Sequence, residues 1–447
     1  MKNLATKKIS SYQLIALTYM AVILVGSLLL LLPISSKDGQ VTPFIDCLFT
    51  ATSATCVTGL IVYDTYLHWT VFGQIVILLM IQIGGLGFMT LVTIFIMFIS
   101  GKLSLSERKL FLQTAGGKNL SDTGKLISNI VKGTLIFELF GVVMLSTRFC
   151  VDFGFGEGLW ISIFLSVAAF CNAGFDILGF LGEFNSLTAY TGDVIVNFTI
   201  MFLIIMGGLG FLVWGDCLRN RFKWSKYSLH TKMVLSFTAV LIVSGAGLFM
   251  LFEYNHSLKD YNFWVKLLAS LFGSVTPRTA GFNTVDMASL SEAGRLLTMF
   301  LMFVGGSPGS TAGGVKTTTF LIVVFAVIAN IRRRADITIG RRKVEASVLP
   351  QTIAIMGIYL SLILVSTLAI LAVEPFSMSQ VAFEVFSAIG TVGLTVGITS
   401  SLTIFSKIVI IILMFIGRIG VLSLAMIFSG KIAPLQLERP TEKIIIG

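Results

Sequence analysis

Apolar residues in this 447-residue chain form runs that follow one another in the same order four times. Each unit starts with a long apolar run, continues with a much shorter one, and closes with a second long run behind a small loop that contains glycine. The long runs exceed the roughly 20 residues that a helix needs to cross a bilayer, and the short runs do not. In chain order, the outer, short and inner segments are predicted at 12–33, 43–55 and 70–99; 125–148, 158–171 and 190–217; 231–253, 263–276 and 293–330; and 347–373, 378–390 and 404–430.

The four loops behind the short segments share one glycine. They read ATCVTGLI, AFCNAGFD, PRTAGFNT and IGTVGLTV, with the shared glycines at Gly59, Gly174, Gly281 and Gly393. Another glycine lies within each following inner segment, at Gly84, Gly207, Gly305 and Gly417. Non-helical backbone at membrane depth is tolerated only where it is buried in protein or lines water. Four such units in one chain are typical of a cation-selective pore around a pseudo-fourfold axis.

These units predict an all-α integral membrane protein of four tandem repeats, each an outer helix, a pore helix and an inner helix. We expect eight transmembrane spans and four re-entrant pore helices in a single transmembrane pore domain over 1–447. The repeats are expected at 12–100, 124–219, 231–331 and 346–430, followed by a cytoplasmic C-terminal tail at 431–447.

Charge is scarce, and its placement predicts the orientation of the chain. Only 12% of the residues are charged, against about 25% in soluble domains, so we expect a multi-pass protein of the cell membrane. Most of the 32 basic residues precede residue 12, follow residue 430 or lie in 101–132, 219–232 and 331–343. By the positive-inside rule, both termini are expected in the cytoplasm. The basic residues flank predicted spans, so the net charge of +10 does not indicate nucleic-acid binding.

The glycine loops suit a filter made of backbone oxygens. A dehydrated potassium ion needs carbonyl oxygens that replace its water. Successive carbonyls can face one axis only where the sign of φ alternates along the backbone. Glycine takes the positive φ this requires with little strain. We expect the preceding side chains to face away, so that only their carbonyls count. The predicted cation-binding residues are Val57, Thr58, Gly59, Asn172, Ala173, Gly174, Thr279, Ala280, Gly281, Thr391, Val392 and Gly393.

One inner segment is interrupted by residues that do not sustain a helix. Residues 305–316 read GGSPGSTAGGVK, with five glycines and a proline inside an apolar run. Such a stretch must line an aqueous cavity, because its free amides would be costly in lipid. It also departs from the P-loop spacing and follows no strand, so it does not predict nucleotide binding. The candidate gate residues are Gly305, Gly306, Gly309, Ser310, Thr311, Gly313, Gly314, Lys316 and Arg418.

Four charged residues lie in or near predicted membrane segments. Arg418, within the last inner segment, is a functional candidate by default, because in the pore it would repel permeating cations. Arg278, in the third loop, is expected to point sideways and tie its loop to an acid. Glu384 is expected to brace the filter from the fourth short segment. For Glu138, in the second outer segment, a partner role and a packing role both stay open.

The repeated glycine loops, the interrupted segment and Arg418 together resemble the membrane subunit of the Trk/Ktr/HKT potassium transporters, most closely the KtrB type, over essentially the whole chain. The resemblance implies that the four loop glycines form the selectivity filter, that 305–316 is an intramembrane gating loop and that Arg418 projects under the filter. Sodium-preferring plant relatives carry serine at the first filter position, so Gly59 implies potassium as the substrate.

The resemblance also implies partners. These are a KtrA-type cytoplasmic regulatory ring that binds nucleotide, ATP or ADP, and a second copy of the membrane subunit in a homodimer. The chain itself is expected to carry no cofactor, and sodium is a possible activator. The lipid bilayer is the remaining partner, and no nucleic acid is expected.

Two other functions compete with a potassium pore. A sodium-transporting or sodium-coupled secondary carrier of the same superfamily stays open, because the sequence does not report coupling. An intramembrane enzyme is not expected, since the chain has no HExxH, GxSxG or paired-aspartate motif. Its five cysteines are odd in number and lack metal-ligand spacing.

Overall fold

The computed structural model describes residues 11–87, 123–221, 223–334, 336–340 and 342–421. Within these ranges the chain is mostly α-helical, and its two short strands, Thr338–Ile339 and Arg342–Lys343, form one antiparallel hairpin. The all-α class predicted from the sequence is confirmed. The predicted inner segment beyond residue 87, the end of the last inner segment beyond 421, the basic stretch at 101–122 and the tail at 431–447 lie outside the described residues.

Four long apolar helices form the outside of the molecule. We name them outer helices 1 to 4: Ser11–Leu31, Thr123–Phe153, Leu229–Glu253 and Val348–Leu371. All four are long and apolar enough to cross a membrane, and at most about one third of each apolar window is buried within the protein. Their exposed leucine, isoleucine and valine side chains fit contact with lipid, which costs apolar groups nothing.

Each outer helix is followed by a short helix that leads into a glycine loop. Short helices 1 to 4 are Phe44–Thr55, Phe155–Cys171, Phe263–Val275 and Met378–Gly390. They are largely buried among the other helices. Each ends where its glycine loop begins, as the sequence predicted for re-entrant segments.

The inner helices are not the continuous spans that the sequence predicted. Inner helix 1 is Val71–Leu86, inner helix 2 is Val194–Leu209 followed by Phe211–Arg219, inner helix 3 is Glu292–Phe303 followed by Thr317–Ile331, and inner helix 4 is Ile404–Ile419. The two parts of inner helix 2 meet at an angle of 92°. The interruption predicted in the third repeat is present, and within the described residues inner helix 2 is also broken while inner helices 1 and 4 end at Leu86 and Ile419, inside their predicted bounds.

A glycine with positive φ follows the last described turn of inner helices 1 and 4 and the first part of inner helix 2. These are Gly87, Gly210 and Gly420, with φ of 78°, 93° and 85°. A right-handed helix cannot continue through this conformation, which residues other than glycine adopt only at a cost of about 1–2 kcal/mol. The break therefore recurs at equivalent positions, three residues after Gly84, Gly207 and Gly417.

Those earlier glycines let the inner helices approach the short helices closely. A Cβ atom on Gly84 would collide with the carbonyl of Thr55, and the same holds for Gly207 with Phe170 and for Gly417 with Ile389. Each of these carbonyls lies at the end of the short helix in the same repeat. The inner helix of each of these repeats therefore presses directly on the base of its own glycine loop.

Polar contacts join each of three inner helices to the short helix of another repeat. Trp160 donates from Nε1 to Oε1 of Gln74 at 2.9 Å, across the boundary between repeats one and two. Arg295 of inner helix 3 lies 3.4 Å from the hydroxyl of Ser379 in short helix 4. Lys407 of inner helix 4 forms a buried ion pair with Asp46 of short helix 1, with Nζ and Oδ1 2.7 Å apart. This last pair joins the fourth repeat back to the first and closes the ring.

Carboxylates at the ends of two outer helices hold the start of the matching inner helix. Glu253 accepts hydrogen bonds from the amide and hydroxyl of Ser291 at 3.0 and 2.6 Å. Glu374 accepts from the amide and hydroxyl of Thr403 at 2.8 and 2.7 Å. Burial alone would raise the pKa of Glu374, but hydrogen bonds from Ser406 and Thr403 outweigh it and hold the pKa below its ordinary value. The ionised carboxylate therefore stabilises the fold.

We predict that Glu374→Gln lowers the thermal unfolding midpoint of the purified chain by about 2 °C at neutral pH. A lowered pKa contributes stability above the unfolded value of about 4.3, and that contribution is lost as the pH falls through the folded pKa. The difference in unfolding midpoint between wild type and Glu374→Gln should thus become smaller when the pH is lowered from neutral to about pH 3. Glu157→Gln, at an exposed position of short helix 2, serves as the control. A difference independent of pH would contradict the assignment.

Candidate functional site

The four glycine loops meet in a closed ring. A Cβ atom on Gly59 would lie 2.5 Å from the carbonyl oxygen of Ala173, and one on Gly174 would lie 2.7 Å from that of Ala280. The order continues from Gly281 to the carbonyl of Val392 at 2.5 Å, and from Gly393 to that of Thr58. Each glycine thus faces the residue that precedes the glycine of the next loop, and the fourth loop faces the first. No side chain larger than hydrogen fits at these four positions without displacing backbone.

Each loop contains two residues with positive φ, whereas the sequence predicted one. Besides the four glycines, the residue two positions before each of them has positive φ: Val57 at 57°, Asn172 at 61°, Thr279 at 71° and Thr391 at 51°. Three of these residues are β-branched or carry a bulky side chain that makes the conformation unfavourable. Strain of this kind persists only where the surroundings impose it, and it is concentrated at functional sites.

The amide hydrogens of the loops point back to the short helices. Thr58 N donates to the carbonyl of Ser53 at 2.8 Å, and Val392 N donates to that of Ser387 at 2.8 Å. The hydroxyls of the same two serines accept from Gly59 N and Gly393 N, both at 3.0 Å. The amides of these two loops are therefore bound by the short helices that precede them. These serines were not among the residues singled out from the sequence.

The Asn172 side chain makes contacts of its own. The sequence predicted that the side chains before the loop glycines would only face away from the axis, and for Asn172 this prediction was wrong. Its side-chain amide donates to the carbonyl of Arg278 at 3.4 Å and to the hydroxyl of Thr279 at 3.3 Å. Its Oδ1 lies 3.3 Å from the hydroxyl of Thr311. Asn172 therefore links the second loop both to the third loop and to the interrupted inner helix.

Residues 305–316 form an ordered loop that folds back on itself. Gly305 N donates to the carbonyl of Val315 at 2.9 Å, and Thr317 N donates to that of Gly306 at 3.1 Å. Gly309 and Gly314 adopt positive φ. The loop is thus closed at its base by backbone hydrogen bonds, which satisfy amides that a helix would otherwise have paired.

The break in inner helix 2 receives this loop. Ser307 N donates to the carbonyl of Gly208 at 3.0 Å, and Phe211 N, the first residue after the break, donates to the carbonyl of Gly309 at 2.8 Å. Thr311 N completes the set with the carbonyl of Gly207 at 3.3 Å. The two interrupted inner helices therefore satisfy each other's free backbone groups.

The same loop lies directly against the glycine ring. The hydroxyl of Thr311 contacts the carbonyl of Phe170 at 3.4 Å as well as Asn172. A Cβ atom on Gly313 would collide with the hydroxyl of Thr391. The loop thus touches the first positions of two of the four glycine loops.

Arg418 also binds the loop at 305–316. Its guanidinium donates to the carbonyl of Thr311 and to the carbonyls of Gly84 and Gly85 at the end of inner helix 1. The Nζ of Lys316 donates to the carbonyl of Ala312 at 2.7 Å, within the loop. The candidate gate residues are therefore brought together, with Arg418 bridging the loop to another repeat.

The other charged candidates have definite partners. Arg278 is buried and donates to the hydroxyl of Thr238 on outer helix 3 at 3.1 Å. Its side chain extends to outer helix 3, in agreement with the expected sideways orientation. This partner is a hydroxyl, however, and not the acid that was predicted. Glu384 accepts from Thr395 and, at 3.2 and 2.9 Å, from Val396 N and the Thr399 hydroxyl, and so braces the chain behind the fourth glycine loop.

Glu138 has a partner role. Its Oε1 accepts a hydrogen bond at 2.9 Å from the side-chain amide of Gln82 on inner helix 1. The thiol of Cys171, at the end of short helix 2, lies 3.5 Å from Oε1 of Gln82. The three side chains connect outer helix 2, inner helix 1 and the base of the second glycine loop.

Comparison with known proteins agrees with this architecture. The model of the TrkH family, described as cation transport protein, matches residues 5–434. The chain is 40% identical to "Potassium/sodium uptake protein NtpJ" of Enterococcus hirae, over 100% of the chain and 99% of that protein. It is 38% identical to "Ktr system potassium uptake protein B" of Bacillus subtilis, over 97% of the chain and 96% of that protein.

A solved structure shares the fold. The potassium transporter TrkH from Vibrio parahaemolyticus superposes with a TM-score of 0.74 at 17% identity, covering 96% of this chain and 86% of that one. The family match and the two relatives confirm the resemblance stated from the sequence, and both agree with the expectation that the chain is not an enzyme. The chain belongs to the TrkH family of cation transport proteins.

Proposed function

We propose that this chain takes up potassium across the cell membrane through a pore whose selectivity filter is the glycine ring. The observation that carries the proposal is the closed order of contacts from Gly59 through Gly174 and Gly281 to Gly393. Backbone oxygens of the loop residues would replace the hydration shell of the ion, as filter carbonyls do in potassium channels. The negative membrane potential supplies about 2.3 kcal/mol per charge per 100 mV for inward movement.

The short helices add an electrostatic contribution. Each ends at its glycine loop, so its C-terminal carbonyls carry a fractional negative charge toward the ring. A dehydrated cation is favoured there relative to an anion. The names of the relatives from Bacillus subtilis and Enterococcus hirae both include potassium uptake, which supports potassium as the substrate.

A sodium-transporting or sodium-coupled carrier is the second candidate. The observation that favours it is the printed name of the Enterococcus hirae relative, a potassium/sodium uptake protein 40% identical to this chain. Sodium would then act as a substrate or as an activator of potassium uptake. Strict stoichiometric coupling in flux measurements would favour the carrier over the pore.

The loop at 305–316 is proposed as the gate. Hydrogen bonds with Asn172 and with the residues on both sides of the break at Gly210 support this role, as does the bond from the Arg418 guanidinium. Opening would require the loop to leave these partners. The positive charge of Arg418 would also slow cations that pass beside it.

Control from the cytoplasmic side is proposed to come from a partner. The name of the Bacillus subtilis relative places that protein in a Ktr system, which supports a KtrA-type regulatory ring that binds ATP or ADP. A homodimer of this chain and cytoplasmic termini complete the proposal. The basic segments at 219–232 and 331–343 would face that ring.

Gly59→Ser is expected to lower the ratio of potassium to sodium flux about tenfold, which corresponds to about 1.4 kcal/mol. The new side chain would collide with the carbonyl of Ala173, and Gly59 has φ of +95°. The measurement is uptake of both ions into liposomes that contain the purified chain. Gly247→Ser, at an open position of outer helix 3, is the control. An unchanged ratio in a folded Gly59→Ser variant would contradict the filter, whereas no potassium flux in wild type would contradict uptake itself.

Deletion of residues 309–314 is expected to raise potassium flux without any regulatory partner, since the contacts with Phe211, Asn172 and Arg418 are removed together. Arg418→Gln should raise flux as well, by releasing Thr311 and removing the positive charge. Both are measured in liposomes under an imposed potential.

Arg148→Gln is the matched control for the gate. Arg148 pairs with Asp152 and Asp193 at 3.4 and 2.9 Å, remote in sequence from the loop. Its flux should equal that of wild type. Lower or unchanged flux after the deletion, with normal folding, would remove the gate assignment.

A further inference from the structure

A groove of about 380 Å³ lies between outer helix 3 and the second half of inner helix 3. Its lining is apolar apart from Lys232, Ser236 and Gly340, and includes Leu229, Met233, Val240, Leu321 and Phe325. The hairpin residues Ile339 and Gly340 cover the end where outer helix 3 begins. The groove is therefore open along its apolar length and bounded at one end by a polar hairpin.

Charge is concentrated at the bounded end. Lys232 lines the groove, and its ammonium donates to the carbonyl of Ser225 at 3.3 Å. Arg342 is exposed and pairs across the hairpin with Ile339. Lys343 is already paired with Asp336 at 2.6 Å. Among the described residues, Lys232 lines the groove and Arg342 lies opposite the lining residue Ile339, so both place positive charge near this rim.

The length of the groove matches one leaflet. From Leu229 to Val240 a helix rises about 16 Å, which is about half of the roughly 30 Å hydrocarbon core. The basic rim lies at the end that the positive-inside rule assigns to the cytoplasm. Basic pockets between transmembrane helices on this side are suited to anionic headgroups.

We propose that this groove binds one anionic phospholipid, with its phosphate at Lys232 and Arg342 and one acyl chain between the two helices. A zwitterionic lipid would fill the same apolar space but would gain less from the two cations. The molecule provides an internal comparison, a groove of about 340 Å³ between outer helix 1 and inner helix 1. The described residues that line this second groove are all uncharged, from Thr18 to Ile83.

The site has a consequence for the proposed gate, and this part rests on the proposed function. The second half of inner helix 3 starts at Thr317, directly behind the loop at 305–316. A lipid bound between this helix and outer helix 3 would fix the position of the point where the loop joins the second half of inner helix 3. Anionic lipid should then alter potassium flux, and neutralised Lys232 and Arg342 should remove that dependence.

The test uses the purified full-length chain, exchanged into an equal mixture of phosphatidylglycerol and phosphatidylcholine and examined by native mass spectrometry. Wild type should retain one phosphatidylglycerol in preference to phosphatidylcholine. Removal of either cation should lower the ratio of retained phosphatidylglycerol to phosphatidylcholine about fivefold. The double variant Lys232→Gln with Arg342→Gln should therefore show no preference between the two lipids. Ser236→Trp, which fills the groove from an exposed lining position, should prevent retention with both cations intact.

Ala21→Trp, which fills the uncharged groove from an exposed position, is the matched control and should retain phosphatidylglycerol like wild type. Equal retention of the two lipids by wild type would overturn the proposal, as would unchanged preference in the Lys232 and Arg342 variant. A groove reserved for a protein segment would give no preferred phospholipid, which also overturns it. Absence of potassium flux from wild type in every lipid would refute the proposed uptake, while lipid retention would still decide the site.

Discussion

The close approach of four backbone loops is the constraint on which the remaining structure depends. At each of the four ring positions the neighbouring carbonyl lies where a Cβ atom would be, so only glycine is compatible with the ring. The loops must therefore be held from outside. The short helices take up their amide hydrogens, and the inner helices press on their bases through Gly84, Gly207 and Gly417. Glu384 and the serines at 53 and 387 add side-chain bonds of the same kind.

The broken inner helices follow from the space beneath that ring. A straight inner helix would leave no room for residues 305–316, and an isolated loop there would expose unpaired amides. The break at Gly210 solves both problems, because Phe211 N and the carbonyls of Gly207 and Gly208 pair with the loop. The loop is consequently well ordered yet held mainly by a few backbone hydrogen bonds and by Arg418. Such contacts are individually modest, on the order of 1 kcal/mol each, which is compatible with an element that moves.

Hydropathy and spacing predicted the helical class, the short helices and the residues of the ring, because burial and close approach leave direct marks in composition. They did not predict the breaks at Gly87, Gly210 and Gly420. A glycine inside an apolar run costs a helix only about 1 kcal/mol, so its sequence context does not distinguish a packing position from a break. The Asp46–Lys407 pair was also missed, since 361 residues separate its members. Asn172 was expected to be passive because nothing local indicates that its amide reaches the third loop.

The Asp46–Lys407 contact gives the assembly one junction unlike the others, where the first repeat meets the fourth. Four separate subunits would make every junction alike and copy each substitution fourfold. Here a change in one quadrant leaves three untouched, so the quadrants are free to specialise. One quadrant carries the loop at 305–316, another the break at Gly210 that receives it, and a third the arginine that binds Thr311. Single substitutions can thus alter these contacts one quadrant at a time.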